Sequence, residues 1–245
     1  MHDQVCPECG GRGIIIKGEN TASICPCMRK AKRNNLIVSS HMTEDLRRKR
    51  FQNFSLGYYS TTQKDPFNEK THRELAARAL ESCRLFVRDC LGGKKTRGLY
   101  IFGQVGSGKT HLACSIANEL IDGGLDVLFV VVPDYLEEIR HSWGQGAGNE
   151  KEILDRARWV NVLIMDDLGA HNYSEWTKGK IYAILNHRIN NGLPTVITSN
   201  LEYLEIGNYL DYRISSRITE LCKPVLLLVD KNEDIRLQKL LEENT

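Results

Sequence analysis

The sequence predicts an α/β fold, with helices on both faces of a parallel sheet and a small cysteine-bearing module in front of it. Three observations carry that prediction. Leu99–Thr110, LYIFGQVGSGKT, sets a glycine-rich loop between an apolar run and a helical pattern. From there short β-branched runs alternate with helical periods, making five β/α units, an alternation that closes into a three-layer parallel sheet. Four of the eight cysteines, Cys6, Cys9, Cys25 and Cys27, are grouped near the N-terminus.

Composition bounds the rest. The 245 residues are 41% hydrophobic and 26% charged, enough for one sizeable core and a small appendage. No apolar run approaches the roughly 18 residues of a membrane span. The opening MHDQVCPECG lacks the charged-then-apolar order of a secretory signal. The expectation is a cytoplasmic protein with no membrane partner. A net charge of +2 hides an asymmetry: residues 1–50 carry ten Lys/Arg against five Asp/Glu, and the remainder 23 against 26. A basic front suits nucleic acid or an acidic partner, and equally a solvated basic helix.

Near its start the chain reads CPECGGRG, and after Cys9 fifteen residues intervene before CPC. Two close cysteine pairs can supply four thiolates to one Zn²⁺, and a segment whose only apolar run is Ile14–Ile16 has little else to fold around. A redox pair or a disulfide is the rival, and a reducing compartment with four grouped cysteines favours zinc. With Cys6, Cys9, Cys25 and Cys27 all as ligands, no coordination position is left open, so the site is expected to be structural. Residues 1–50 are read as this zinc-binding module plus a basic linker, in which Thr43 caps a short helix that turns basic at its end. Residues 51–245 are read as the main domain. Cys83, Cys90, Cys114 and Cys222 are expected to be small core residues.

Phe51 and Phe54 open the main domain, either packed beside a bound nucleotide base or tucked in as plain linker. Asn68–Cys90 has a helical apolar period and ends at Gly92–Gly93. Gly103, Gly108, Lys109 and Thr110 then fit G-x-x-x-x-G-K-[ST] between a strand and a helix, the order a phosphate-binding loop requires. Backbone N–H groups from Gly103, Gln104, Val105, Gly106, Ser107, Gly108, Lys109, Thr110 and His111 would surround a triphosphate at the positive end of the helix. Lys109 would reach the β- and γ-phosphates, and the Thr110 hydroxyl would bind Mg²⁺.

Leu125–Val132 is read as a buried strand, Pro133–Ile139 as the opening of a helix, Gly144–Gly148 as a flexible loop and Asn149–Arg158 as a helix. Val160–Leu168 is an apolar run that ends in Asp166 and Asp167. About sixty residues after a phosphate loop, Asp166 is expected to hold Mg²⁺ through water, and Asp167 to orient or deprotonate the attacking water. Ser174–Asn191 is a helix, and Leu193–Asn200 is a strand whose end places Asn200 near the γ-phosphate. Asn208–Leu221 is read as one helix carrying Arg213 and Arg217, Pro224–Val229 as the last strand, and the segment reaching Arg236 as a charged tail.

Together GQVGSGKTHLA, VVPDYLEEI, LIMDDLGA, ITSN and RISSRI resemble, in order, the AAA+ ATPases of the DnaC/DnaI/IstB type, over roughly Phe51–Arg236. The resemblance implies a P-loop ATPase that uses ATP and Mg²⁺. It further implies sensor 1 at Asn200, an arginine finger at Arg217 with Arg213 as the fallback, and a sensor 2 region at Arg236. The 45 residues after Asn200 leave no room for a full C-terminal lid, a shortening similar to the loader group. The implied function is an ATP-dependent loader that binds the hexameric replicative DNA helicase through the cysteine module, delivers it to single-stranded DNA and self-assembles when ATP-bound. The alternative is a transposition helper that assembles on DNA and activates a transposase. A non-hydrolysing scaffold is disfavoured by intact Lys109, Asp166, Asp167 and Asn200.

Overall fold

The computed structural model describes residues 6–18, 21–67, 69–142, 147–170, 173–230 and 234–238. Most of the loop read at 144–148, the first helix residue read at Asn68, and part of the tail after Asp230 lie outside these residues.

Five parallel strands form the centre: β3 (Gly98–Gly103), β4 (Val127–Val131), β5 (Val162–Leu168), β6 (Thr195–Ser199) and β7 (Cys222–Leu227), ordered β4-β5-β6-β3-β7. Alternate residues of each strand face opposite ways. Leu99, Ile101, Phe129, Ile164 and Val196 enter one core, while Tyr100, Leu128, Leu163, Met165 and Ile197 enter the other. Helices α3 (His72–Leu91) and α4 (Lys109–Asp122) cover the first face. Helices α5 (Val132–Ser142), α6 (Ala147–Trp159), α7 (Glu175–Asn190) and α9 (Tyr212–Leu221) cover the second. That is the three-layer arrangement expected. Cys83, Cys114 and Cys222 are fully buried in these cores and Cys90 packs against one of them.

The sheet order fixes where chemistry can occur. Strand β6 pairs with β3 on one side and β5 on the other, so the carboxyl ends of the phosphate-loop strand, the Asp166–Asp167 strand and the Asn200 strand lie side by side. Ligands of parallel α/β sheets gather at such an edge.

Helix boundaries follow local chemistry. Thr71 and Glu74 form a reciprocal cap, Glu74 N–H donating to Thr71 Oγ1 (3.2 Å) and Thr71 N–H to Glu74 Oε2 (2.8 Å), which starts α3 at His72. The helix expected over 208–221 is divided. A short α8 (Ile206–Tyr209) ends at Leu210, and Asp211 restarts the chain as α9 by accepting the Arg213 N–H at 2.6 Å. The Asp side chain competes for backbone donors and so breaks a period that apolar spacing alone makes look continuous.

The basic segment ahead of the main sheet is docked on it. Helix α1 (Pro26–Ser39) and the five-residue α2 (Glu44–Arg48) lie along α4. Arg33 and Arg50 both donate to Asp122, at 2.7 and 2.5 Å, and Asn118 Nδ2 donates to the carbonyls of Leu46 and Lys49. The Phe129 N–H of edge strand β4 donates to Ser40 O at 2.9 Å. Ahead of α1, β1 (Ile14–Gly18) and β2 (Thr21–Ile24) pair as an antiparallel hairpin.

Candidate functional site

The phosphate loop is a tight turn whose shape the sequence dictates. Gly106 (φ +77°) and Gly108 (φ +92°) take left-handed conformations that a side chain resists. At Gly108 a Cβ would also meet Tyr59 Oη at 3.0 Å and the Phe54 ring at 3.2 Å. Those two side chains brace the loop from outside: Tyr59 Oη donates to Ser107 O at 2.7 Å, and Phe54 sits edge-on to His111. Phe54 therefore packs on the helix that follows the phosphate loop, whereas Phe51 is buried in the core beneath it. At Gly106 a Cβ would fall within 2.4 Å of the Asp234 carboxylate, and the Ile235 N–H donates to Gly106 O, so the tail crosses the loop.

Lys109, the first residue of α4, is 7% exposed and points back along the loop, donating to Gly103 O (3.0 Å) and Gln104 O (2.7 Å). Burial pushes its pKa down to about 8, against the pull of Asp167 and Asp166 and with the help of the Arg236 charge. Ser107 Oγ is buried and has no hydrogen-bond partner among the described residues. An orphaned hydroxyl, a buried ammonium and a glycine turn at a helix N-terminus fit a polyphosphate.

Across the groove, Asp166 is 5% exposed and accepts from Thr110 Oγ1 at 3.1 Å and from Thr198 Oγ1 at 2.6 Å. Burial raises its pKa, and the two hydroxyls oppose the rise. A hydroxyl and a buried carboxylate are the hard oxygen groups that Mg²⁺ prefers. Asp167 stands at φ +63°, a left-handed conformation rare for a non-glycine residue. Its cause is a bulge: Met165 pairs with Ile197 and Leu168 with Ser199, so β5 spends one residue more than β6. The extra residue turns both neighbouring carboxylates toward one groove, which regular alternation forbids. Asn200 is exposed just beyond β6 and its Nδ2 donates to Asp167 Oδ1 at 3.5 Å. The phosphate loop, Asp166, Asp167 and Asn200 are thus gathered at one edge.

Thr198 is a residue that sequence reasoning missed. Its hydroxyl also accepts the Asp167 N–H at 2.9 Å. The available signal was the pair of hydroxyls, Thr198 and Ser199, at the carboxyl end of TVITS, on the strand beside the one that carries the acids.

Arg217 lies apart from this edge. It is the sixth residue of α9, about one and a half turns in, with Nη1 on Glu220 at 3.1 Å and a buried Nε that has no partner among the described residues. Arg213, one turn nearer the sheet's carboxyl edge, is held by Asp211 at 3.0 Å and stacks over Tyr182. Arg236 is exposed on the helical turn 235–238 that follows Asp234.

The four N-terminal cysteines converge. Their sulfurs all lie within 4.8 Å of one another, with Cys6–Cys25 at 3.8 Å and Cys9–Cys27 at 3.5 Å, and none is in a disulfide. Tetrahedral ligands at the usual Zn–S distance stand about 3.8 Å apart, so the cluster fits zinc. Cys25 caps α1 and Cys27 sits in its first turn, while Gly13 N–H donates to Cys9 Sγ at 3.3 Å. That donor lowers the Cys9 pKa to about 7.

The comparisons agree with this geometry. The family described as IstB-like ATP binding protein matches residues 67–239. The replicative helicase loader DnaI of Bacillus subtilis (strain 168) is 27% identical over 220 residues, covering 83% of this chain and 65% of that protein. The replicative helicase loader DnaC of Escherichia coli (strain K12) is 28% identical over 152 residues, 62% of this chain and 61% of that one. The chain therefore spans under two thirds of the length of either. A crystal structure of DnaI superposes with a TM-score of 0.62 at 31% identity, covering 76% of this chain and 95% of that chain. A five-stranded parallel sheet ending in a phosphate loop, with this span of matching sequence, makes the chain a member of the IstB-like ATP-binding protein family.

Proposed function

We propose that this chain is an ATP-hydrolysing loader that binds a replicative DNA helicase and delivers it to single-stranded DNA. The observation that carries the hydrolytic part is the gathering of Lys109, Thr110, Asp166, Asp167 and Asn200 at one sheet edge. On ATP binding the Lys109 ammonium exchanges two backbone carbonyls for β- and γ-phosphate oxygens. Thr110 and Asp166 would hold Mg²⁺, which supplies neutralisation of developing phosphate charge. Asp167 accepts from the attacking water, and Asn200, already beside it, orients that water against the γ-phosphate. Arg217 would complete a neighbouring subunit's site, and Arg236 would report on the γ-phosphate of its own.

The loader reading is supported by relatives named helicase loaders and by a Cys₄ cluster placed ahead of the ATPase. Residues 1–50 are read as the helicase-contacting module and basic linker, cytoplasmic in location, with self-assembly coupled to bound ATP. Hydrolysis acts as the release switch, through contacts that differ between ATP and ADP states. The test is capture of the hexameric replicative helicase from the native cell on the immobilised chain, with and without ATP, alongside ATP turnover with single-stranded DNA. ATP-dependent helicase capture is expected. Capture of a transposase instead would move the chain to the transposition-helper role, and absent turnover would leave a nucleotide-dependent scaffold.

A further inference from the structure

Thr198 joins two carboxylates that the hydrolytic reading gives separate roles. A threonine hydroxyl has one proton to donate and lone pairs to accept with. Here the proton goes to Asp166 Oδ1 at 2.6 Å and a lone pair takes the Asp167 N–H at 2.9 Å. The contact with Asp166 is buried and that with the Asp167 N–H is half-buried, Thr198 itself being 1% exposed. The neighbouring Ser199 Oγ donates to Leu168 O at 2.6 Å, so consecutive hydroxyls of β6 grip the β5 bulge on either side of its extra residue.

Each grip has work to do. Asp166 has a second donor in Thr110, whose lone pairs are the proposed Mg²⁺ ligand. Thr198 has no such second duty, and its 2.6 Å contact with Asp166 is shorter than the 3.1 Å one from Thr110. Asp167, at φ +63°, sits in a conformation that persists only where its surroundings impose it, and the accepted N–H is such an imposition.

We propose that Thr198 is a positioning residue that sets both carboxylates at once, fixing Asp166 for Mg²⁺ and Asp167 for the attacking water. The proposal rests on the hydrolytic reading and deepens it. Groups that hold a metal's neighbours typically change affinity or activity by about 10–100-fold when removed.

The test compares Thr198→Val, which keeps the shape and loses the hydroxyl, with Thr198→Ser, which keeps the hydroxyl and loses a methyl. Three quantities are read: KM and kcat for ATP, the Mg²⁺ concentration for half-maximal turnover, and the ratio of ATP dissociation constants in EDTA and in Mg²⁺. Thr198→Val is expected to hold KM within about twofold, lower kcat at least tenfold, and raise the Mg²⁺ requirement about tenfold. Thr198→Ser should stay within about threefold of wild type throughout. A Val variant that matches wild type in turnover and Mg²⁺ response overturns the proposal, as does a Ser variant that falls equally far. If wild type turns over no ATP, the hydrolytic reading fails, and the EDTA-to-Mg²⁺ affinity ratio alone decides on Thr198. Should Val not fold, Thr198→Ala takes its place. If neither folds while Ser does, the hydroxyl is structural and the proposal falls.

Discussion

Lys109 makes nucleotide binding a proton-linked event with a sign and size that can be worked out in advance. Buried at 7% exposure, its ammonium titrates near pH 8 instead of its ordinary 10.5. Triphosphate favours the charged form, so binding raises the pKa back and takes up a proton wherever the free protein has lost one. With a free pKa of about 8, the ammonium is about nine-tenths populated at pH 7 and about one-tenth at pH 9. Apparent ATP affinity should then fall about tenfold over that interval, about 1.4 kcal/mol. Stability of the free protein moves the opposite way. The unfolded chain binds more protons between pH 8 and 10.5, so the penalty for burying the ammonium is relieved as pH rises through that window. Titration calorimetry at pH 7 and 9, each in two buffers of different ionisation enthalpy, measures affinity and proton uptake together. Equal affinity at the two pH values, with no uptake at pH 9, would refute the reasoning.

Purified without chelator, the chain should carry about one equivalent of zinc, and Cys→Ser at 6, 9, 25 and 27 together should unfold the β1–β2 hairpin and leave the main sheet melting as before; elemental analysis and amide exchange read the two. Asp167→Asn should keep ATP binding and lose hydrolysis, because the amide still occupies the bulge but no longer accepts a proton, and a wild-type rate in a turnover assay would remove Asp167 from that role. Arg188 is fully buried with its guanidinium on Thr195 Oγ1 and the carbonyls of Ala157, Val160 and Pro194 at 2.7–3.0 Å. Arg188→Met takes the guanidinium donors from the Ala157 and Val160 carbonyls and should cost about 1–3 kcal/mol for each buried acceptor left unsatisfied, read in urea unfolding.

What the sequence made legible was local. The phosphate loop is eight consecutive residues, Gly103–Thr110, whose types state their own geometry, and the strands announce themselves as short apolar runs. The two aspartates were readable because they end such a run at a suitable distance from the loop. What escaped depends on partners far along the chain. Nothing near Asp167 says that it is left-handed. That follows from β6 lying beside β5 and being one residue shorter across the bulge. Thr198 acquires its meaning only from the same pairing. The docking of α1 and α2 rests on Asp122 and Asn118, more than 65 residues away, and Phe54 finds the phosphate loop through a glycine that cannot be seen to lack a neighbour until the fold closes. The break before α9 is local, and it lies in Asp211, which accepts the Arg213 N–H and starts a new helix inside a stretch read as one.

Arg217 supplies the remaining argument, since its position restricts whose ATP it can serve. Helix α9 precedes β7 and packs on α7 and α8, on the face of the sheet opposite α3 and α4. Its side chain is tied to Glu220 on its own helix, with Nε left without a partner among the described residues. An arginine that stabilises a transferring phosphoryl group must reach it, and the role proposed for Arg217 is to reach that of a neighbour. Arg217→Ala should bind ATP nearly as wild type and fail to turn it over. Lys109→Ala should fail to bind ATP yet still present the arginine. Mixed, the two should recover some activity that neither has alone, because Arg217→Ala subunits keep working phosphate loops and Lys109→Ala subunits keep the finger. Turnover is followed in mixtures shown by crosslinking to co-assemble on DNA or helicase. Co-assembly without recovery would refute the assignment and pass it to Arg213, one turn nearer the edge, whose Ala variant is then put through the same mixture.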